Sequence, residues 1–292
     1  MRSKYDVKQI IVWIAVFLLV LISFSRFSFF HISTERAILY PLLILEKFTS
    51  SSNFLDPIKS IVYDLITFLS PFIPIALALS LLSIYGAKFG ENRKLGFTST
   101  TISSLLGLVF VGISYTSVLL VLGVSVSGLL STGLSEMYFK EMKKWKKYRV
   151  GANVVKKCFF IINIMLLFGV IITVATNQVY YENEFKNTTK EIVEGLIPKI
   201  SYEDVAPTNI NLPPEQRSLL EEQYKNEINK KQELIDSKID EMFDSTEFKG
   251  LVYFSLFSIS LAIYGVLEFL NTILFSPLSG LITQFSLKKS KG

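Results

Sequence analysis

The sequence predicts an all-α fold: a polytopic membrane helical bundle that carries a small extracytoplasmic helical hairpin. Half of the 292 residues are hydrophobic and the mean hydropathy is +0.43, which is typical of a chain that crosses a membrane several times. Several uncharged apolar runs reach the length of about 20 residues that a helix needs to cross a ~30 Å hydrocarbon core. The charged residues are segregated into basic and acidic stretches, as they are in membrane proteins with short basic cytoplasmic loops.

One stretch, residues 140–184, orients the whole chain. A strongly basic segment at residues 140–157 precedes an uncharged run at residues 158–176, and an acidic region begins at residue 181. Lysine and arginine accumulate on the cytoplasmic side of a membrane, so we expect residues 140–157 inside and residues 181–249 outside. The expected location is the cell membrane, with several passes and with the basic loops and the carboxyl terminus in the cytoplasm.

Three regions follow from this orientation. They are a membrane bundle at residues 1–180, an extracytoplasmic helical arm at residues 181–249, and a last span with a cytoplasmic tail at residues 250–292. The spans of the bundle are predicted at about residues 10–31, 58–85, 98–113, 117–134 and 158–178. The first apolar run is taken as a retained span because no small-residue cleavage site follows it.

The uncharged stretch at residues 97–133 allows two interpretations. A single straight helix of this length is about 55 Å long at ~1.5 Å per residue and overshoots the bilayer. Two shorter helices that turn at residues 114–117 place nearly all basic loops on one side of the membrane. The sequence therefore favours six spans, with five as the alternative.

The second and last predicted spans both contain prolines and one acidic residue. Asp64 precedes Pro71 and Pro74, and Glu268 precedes Pro277. Proline inside a spanning helix frees backbone carbonyls, which neighbouring helices or water must satisfy. We expect Pro277 to end or kink the last helix and to leave residues 278–286 as an interfacial tail.

Asp64, Glu268 and Arg26 are the candidate ionisable residues within the membrane, and such residues are functional hypotheses by default. The end of the first span should lie beside the start of the second, so an Arg26 to Asp64 ion pair is predicted. Glu268 should lie at the depth of Asn163 and of Lys156 or Lys157. It is either a neutral carboxyl group hydrogen-bonded between helices or part of a proton or cation path.

Small residues recur at four-residue spacing in the middle of the chain, as the pairs Ser103 and Gly107, Gly112 and Thr116, and Gly123 and Ser127. Such pairs let helices approach closely in lipid, so packing is favoured over a permeation path. The basic residues 140–157 are a candidate surface for anionic lipid, although an orientation signal is the favoured interpretation.

The arm divides at the prolines between residues 207 and 214. Before them, Asn187 begins a glycosylation sequon and is a candidate helix cap. After them, one apolar stripe predicts an interface with a protein partner or another copy: Leu220, Tyr224, Ile228, Ile235, Ile239 and Met242. The competing interpretation is that Ile192, Val193, Leu196 and Ile197 cover this stripe within the arm. No helix breaker precedes Gly250, so one long helix is predicted to continue into the last span.

Several functional classes lack support in the sequence. The single cysteine, Cys158, and the single histidine, His31, are too few for a disulfide, a cysteine metal cluster or the usual zinc site. Neither a nucleotide-binding glycine loop nor a hydrolase or metalloprotease motif is present, and the segregated charge does not predict nucleic-acid binding. We therefore predict no enzyme, cofactor or metal. The favoured function is a structural or interaction subunit that assembles through the arm; the alternative is a small ion channel or secondary transporter that uses the polar faces of the second and last spans.

Overall fold

The computed structural model describes residues 2–30, 32, 34–50, 53, 55–142, 145–196 and 214–288. These residues are helical almost throughout, which confirms the predicted all-α class. The α-helices, in chain order, are α1 (Arg2–Phe29), α2 (Thr34–Ser50), α3 (Leu55–Leu69), α4 (Phe72–Phe89), α5 (Arg93–Val111), α6 (Tyr115–Glu141), α7 (Lys146–Thr176), α8 (Gln178–Leu196), α9 (Pro214–Asp244), α10 (Thr246–Leu270) and α11 (Ser276–Lys288). A π-helical turn, Asn271–Phe275, joins α10 to α11.

Six helical stretches of the described residues are long and apolar enough to cross a membrane, and the chain is a multi-pass membrane protein. They are Val7–Phe29, Leu55–Phe89, Arg93–Val111, Tyr115–Glu141, Lys146–Thr176 and Val252–Leu287. In the first of them, Ile10, Ile14 and Leu18 follow one another at four-residue spacing and are all exposed. This spacing places them on one helix face, which suits contact with lipid chains.

Residues 97–133 divide into α5 and α6, as the six-span interpretation predicts. The turn lies earlier than predicted, because Gly112 ends α5 with a φ of 82°, a conformation that favours glycine. Ser114 then caps α6, with its side chain accepting from the Ser117 N–H in a capping box. The predicted Gly112 and Thr116 packing pair is wrong: a Cβ at Gly112 would meet no atom within 4 Å.

The chain separates into two units by its internal contacts. The bundle unit comprises Met1–Ile38, Ile58–Asn177 and Phe257–Gly292, and the arm unit comprises Leu39–Pro57 and Gln178–Leu256. Small residues hold the helices of the bundle unit close together. A Cβ on Gly96 of α5 would collide with the Gly128 backbone of α6, and a Cβ on Gly128 would collide with Thr100. Glycine here permits backbone-to-backbone contact between helices, and neither glycine belongs to the three predicted packing pairs.

Contacts within the bundle unit gather basic residues at one end, which we call the basic end. The Lys8 ammonium near the start of α1 lies 5.3 Å from the centre of the Phe89 ring at the end of α4. The Lys147 Nζ at the start of α7 donates to the Leu287 carbonyl of α11 over 3.2 Å. The Asn92 N–H before α5 donates to Thr132 Oγ1 near the end of α6.

Two boundaries near the carboxyl terminus differ from the predictions. The helix breaks at Ser245, between α9 and α10, instead of continuing to Gly250, because Ser245 donates both its N–H and its hydroxyl to the Met242 carbonyl. Residues 278–286 form no interfacial tail. They belong to α11, where Ser279 donates to the Gly151 carbonyl of α7 and a Cβ on Gly280 would meet the Tyr148 ring.

Candidate functional site

A polar cluster surrounds Glu268 near the end of α10. The Asn163 Nδ2 of α7 donates to Glu268 Oε2 over 2.9 Å. The Asn271 Nδ2 donates to the Lys156 carbonyl over 3.0 Å and lies 3.2 and 3.3 Å from the two carboxylate oxygens of Glu268. The predicted proximity of Asn163 and Glu268 is therefore confirmed. Lys156 contributes its backbone carbonyl, while its side chain is exposed.

The two asparagine amide groups of this cluster are buried, and hydrogen bonds to the described residues are formed by their nitrogen atoms alone. Asn163 is 1% exposed and Asn271 is 0% exposed. Each donates from its nitrogen to Glu268, yet neither Oδ1 atom accepts a hydrogen bond from the residues that the structure describes. A buried carbonyl oxygen without a donor costs about 1–3 kcal/mol. The cluster thus presents a carboxylate beside two neutral oxygens with free lone pairs.

The π-helical turn explains how Asn271 reaches α7. Within it, the Ser276 N–H donates to the Asn271 carbonyl five residues earlier. Pro277 follows directly, and its ring would clash with the Ile273 carbonyl of a regular α-helix. A wider turn relieves this clash by inserting one residue into the helix. Past the turn, the Ser276 hydroxyl donates to the Ala152 carbonyl of α7 over 2.9 Å.

Arg26 and Asp64 do not form the predicted ion pair. The Arg26 Nη1 donates to the Ser70 carbonyl over 3.3 Å, and the Asp64 Oδ1 instead lies 3.9 Å from the Arg36 Nη2. Ser70 lies four residues before Pro74, whose missing N–H leaves that carbonyl free. The Arg26 guanidinium therefore donates to the carbonyl that lacks a donor because of Pro74. Asp64 pairs instead with Arg36, which lies between the first two spans.

Serine hydroxyls on the second and last spans are used in helix packing. The Ser80 hydroxyl of α4 donates to the Ser279 hydroxyl of α11 over 2.8 Å, and the Ser279 hydroxyl donates to the Gly151 carbonyl. Both serines are 1% exposed. These hydroxyls join three helices, as polar side chains do between helices in lipid.

A cavity of about 250 Å³ lies between helices of the bundle unit, near the turn that joins α5 to α6. Its lining is mostly apolar, with Phe27, Phe72 and Leu166 among the contributors, and the Thr116 and Thr173 hydroxyls stand 3.1 Å apart at its wall. Glu268 does not line it.

Ion pairs join α8 to α9 in the arm unit. Lys186 pairs with Asp240, and Lys190 Nζ lies 2.5 Å from Asp236 Oδ1. Ile192 of α8 is 8% exposed and Ile239 of α9 is 6% exposed. The side chains of Val193, Leu196 and Ile197 lie outside the described part of the chain, so the covering of the stripe by these four residues stays a prediction.

The stripe differs along its length. Ile228 is 44% exposed and Met242 is 37% exposed, while Ile235 is half-buried. The side chains of Leu220 and Tyr224 lie outside the described part of the chain. Leu219 and Leu234 are also exposed, although the stripe did not include them.

Asn187 is exposed but does not cap a helix, since it lies inside α8. The hydroxyl of the sequon's Thr189 donates to the Phe185 carbonyl over 2.7 Å. Glycosylation at Asn187 stays a prediction.

Among the described residues, no group of three or more histidine, cysteine, aspartate or glutamate side chains is arranged to hold a metal ion. Cys158 is a free, buried thiol. No protein-family model, curated protein sequence or solved structure matches this chain.

Proposed function

We propose that this protein is a non-catalytic membrane subunit that assembles, through α9, with a second copy of itself or with another protein. The observation that carries the proposal is the exposure of Ile228 and Met242, which lie with the half-buried Ile235 at seven-residue spacing along one face of a helix otherwise rich in charge. A helical hairpin of this size buries little apolar surface by itself. Exposed apolar side chains rimmed by charged ones are typical of a protein-binding surface.

The proposed orientation places the basic end in the cytoplasm and the arm outside the cell membrane. The clustering of Lys8, Lys88, Arg93 and Lys147 at the basic end supports it through the positive-inside rule. The same lysines offer a surface for anionic headgroups. Protease added to intact cells should cut near Pro213 and spare the region around Trp145; the reverse pattern would contradict the orientation.

Cysteine cross-linking tests assembly. Ile228→Cys and Ile235→Cys are introduced into a Cys158→Ala background, and intact membranes are treated with a bifunctional thiol reagent. We expect a product at Ile228→Cys, of twice the chain mass for self-association or of another mass for a different partner. Ile239→Cys is the matched control, because its buried position should give none. Absence of a product at both Ile228 and Ile235 argues against assembly.

The alternative function, a small ion channel or secondary transporter, draws its support from the Glu268 cluster. The hydroxyls of Ser80 and Ser279 add little, because each donates to a neighbouring helix. Reconstitution into liposomes with ion-flux measurement distinguishes the two functions. Flux that disappears in a normally folded Glu268→Gln variant supports transport, and unchanged flux in that variant removes Glu268 from any path.

A further inference from the structure

The unused oxygens beside Glu268 carry an inference beyond the proposed function. Asn163 and Asn271 come from different spans, yet both turn an amide group toward one carboxylate. Each also keeps a buried Oδ1 atom that accepts no hydrogen bond from the described residues. Helix packing alone does not require two asparagines with unsatisfied oxygens. Leucine at these positions would fill the space without the free-energy cost of a buried oxygen that lacks a donor.

We propose that Glu268, Asn163 and Asn271 form a binding site for one monovalent cation. Carboxylate, amide and backbone carbonyl oxygens are the ligands that hard cations prefer. The site offers the two Glu268 oxygens, the two Oδ1 atoms and the Lys156 carbonyl, which already lies 3.0 Å from Asn271 Nδ2. A half turn of each of the two amides exchanges its nitrogen for its oxygen, so the donors that now face Glu268 and the Lys156 carbonyl are replaced by ligands.

Charge balance selects the valence of the ion. Glu268 supplies one negative charge, and the other ligands are neutral. A monovalent cation leaves the site neutral, whereas a divalent cation leaves an uncompensated positive charge among the spans, which is expensive in a low-dielectric environment. The side chain of Lys156 is exposed, and this residue takes part through its carbonyl.

The backbone beside the site departs from regular α-helical winding. The winding changes after Leu270, two residues after Glu268, where the π-helical turn begins at Asn271. Single π-helical turns also occur frequently at functional sites. Glu268 itself is half-buried.

Thermal unfolding with the full chain in nanodiscs tests the site. Reaction of the buried Cys158 thiol with a fluorescent maleimide reports the midpoint, and Na⁺ or K⁺ is compared with choline at constant ionic strength and one fixed pH. We expect one of the two ions to raise the Tm saturably, by about 5 °C at a hundredfold excess over Kd. Glu268→Gln should abolish this shift, while Asp64→Asn should retain it.

If Glu268→Gln folds poorly, a second variant tests the same site. Asn163→Asp adds a second carboxylate, so the preferred ion should change from monovalent to Ca²⁺ in the same assay. Equilibrium dialysis with ²²Na⁺ or ⁸⁶Rb⁺ should give one ion per wild-type chain. No saturable response to either Na⁺ or K⁺, or an equal response in Glu268→Gln, overturns the proposal and leaves Glu268 as a hydrogen-bonding group between helices. Cross-linking of the arm is unaffected by either result.

Discussion

The bundle unit and the arm unit are both helical, but their helices are held together by different groups. In the bundle unit, glycines such as Gly96 and Gly128 allow backbones to touch, and buried serines donate to carbonyls of neighbouring helices. In the arm unit, Lys186 and Lys190 pair with carboxylates across the hairpin, and Ile228 and Leu234 are exposed.

Helices that pack in lipid and helices that pack in water depend on different interactions. Lipid offers no hydrophobic drive between helices, so close contact and hydrogen bonds must hold spans together. In water, the burial of apolar surface stabilises contacts between helices, whereas dissolved salt weakens exposed ion pairs by screening them. The arm relies on ion pairs and leaves Ile228 uncovered, so its interactions are the weaker set unless a partner covers that surface.

The most destabilising substitution should be one that disrupts the contact between α5 and α6 in the bundle unit. Gly96→Leu should destabilise the protein by about 3 kcal/mol or more, because even the Cβ of the new side chain would collide with the Gly128 backbone. Maleimide labelling of Cys158 during heating is the measurement. Gly265→Leu is the control, since a Cβ there meets nothing within 4 Å. Equal loss in both variants would contradict the close-contact explanation.

The next effect separates the covered and uncovered parts of the arm stripe. Ile239→Ala should destabilise the α8–α9 hairpin by roughly 2 kcal/mol or more, because it removes a buried side chain. Ile228→Ala should change hairpin stability by less than about 0.5 kcal/mol, since Ile228 is exposed. Hydrogen exchange of the α9 amides measures both, and the proposed assembly requires that Ile228→Ala weaken association instead.

A smaller effect is expected at the serine pair of the bundle. Ser279→Ala removes hydrogen bonds to Ser80 and to the Gly151 carbonyl, and such bonds between spans contribute about 0.6 kcal/mol, with a maximum near 1.7 kcal/mol. A double-mutant cycle with Ser80→Ala gives the coupling from unfolding midpoints. A coupling of zero would mean that close contact alone holds α4 against α11.

The arm ion pairs should contribute less still. Lys186→Met removes the partner of Asp240, and the side chains of the pair are 30% and 57% exposed, so we expect a loss of about 0.2–1 kcal/mol. Salt should reduce the wild-type stability of the hairpin in the same direction, because counterions screen both pairs. Unfolding of the arm followed by hydrogen exchange at low and high salt checks this.

The smallest effect concerns Glu241. A hydrogen bond and an electrostatic attraction from Lys238 lower the pKa of Glu241 below its ordinary value. A lowered carboxyl pKa stabilises the folded arm above the unfolded pKa, and this contribution disappears as the pH falls through the folded pKa. Because both side chains are about 70% exposed, Lys238→Met should leave arm stability unchanged at neutral pH. NMR titration should show the Glu241 pKa rising toward its ordinary value in that variant.

Axial position was predictable from the sequence, but rotation about the helix axis was not. The rise per residue correctly placed Glu268 at the level of Asn163. The same reasoning paired Arg26 with Asp64, and it failed because the carbonyl that Pro74 frees at Ser70 competes for the guanidinium. The sequence does contain that signal, since the carbonyl four residues before any helical proline lacks its donor.

Two helix ends differ from the sequence predictions. Gly112 is predicted as a packing residue, whereas its positive φ ends α5. Ser245 interrupts the helix between α9 and α10 without a proline or glycine, through hydrogen bonds to Met242. Serine is compatible with helices and with breaks, so only the three-dimensional context decides between them.

The π-helical turn also fixes the angular setting of everything that follows it. If the residues Asn271–Phe275 wound as a regular α-helix, the wide turn would no longer absorb one residue, and α11 would be displaced by ~1.5 Å and rotated through about 100°. Ser276 and Ser279 would then point away from Ala152 and Gly151, and the carboxyl-terminal helix would lose these contacts without any change in its own composition. The wide winding of a five-residue segment therefore keeps the last helix in place.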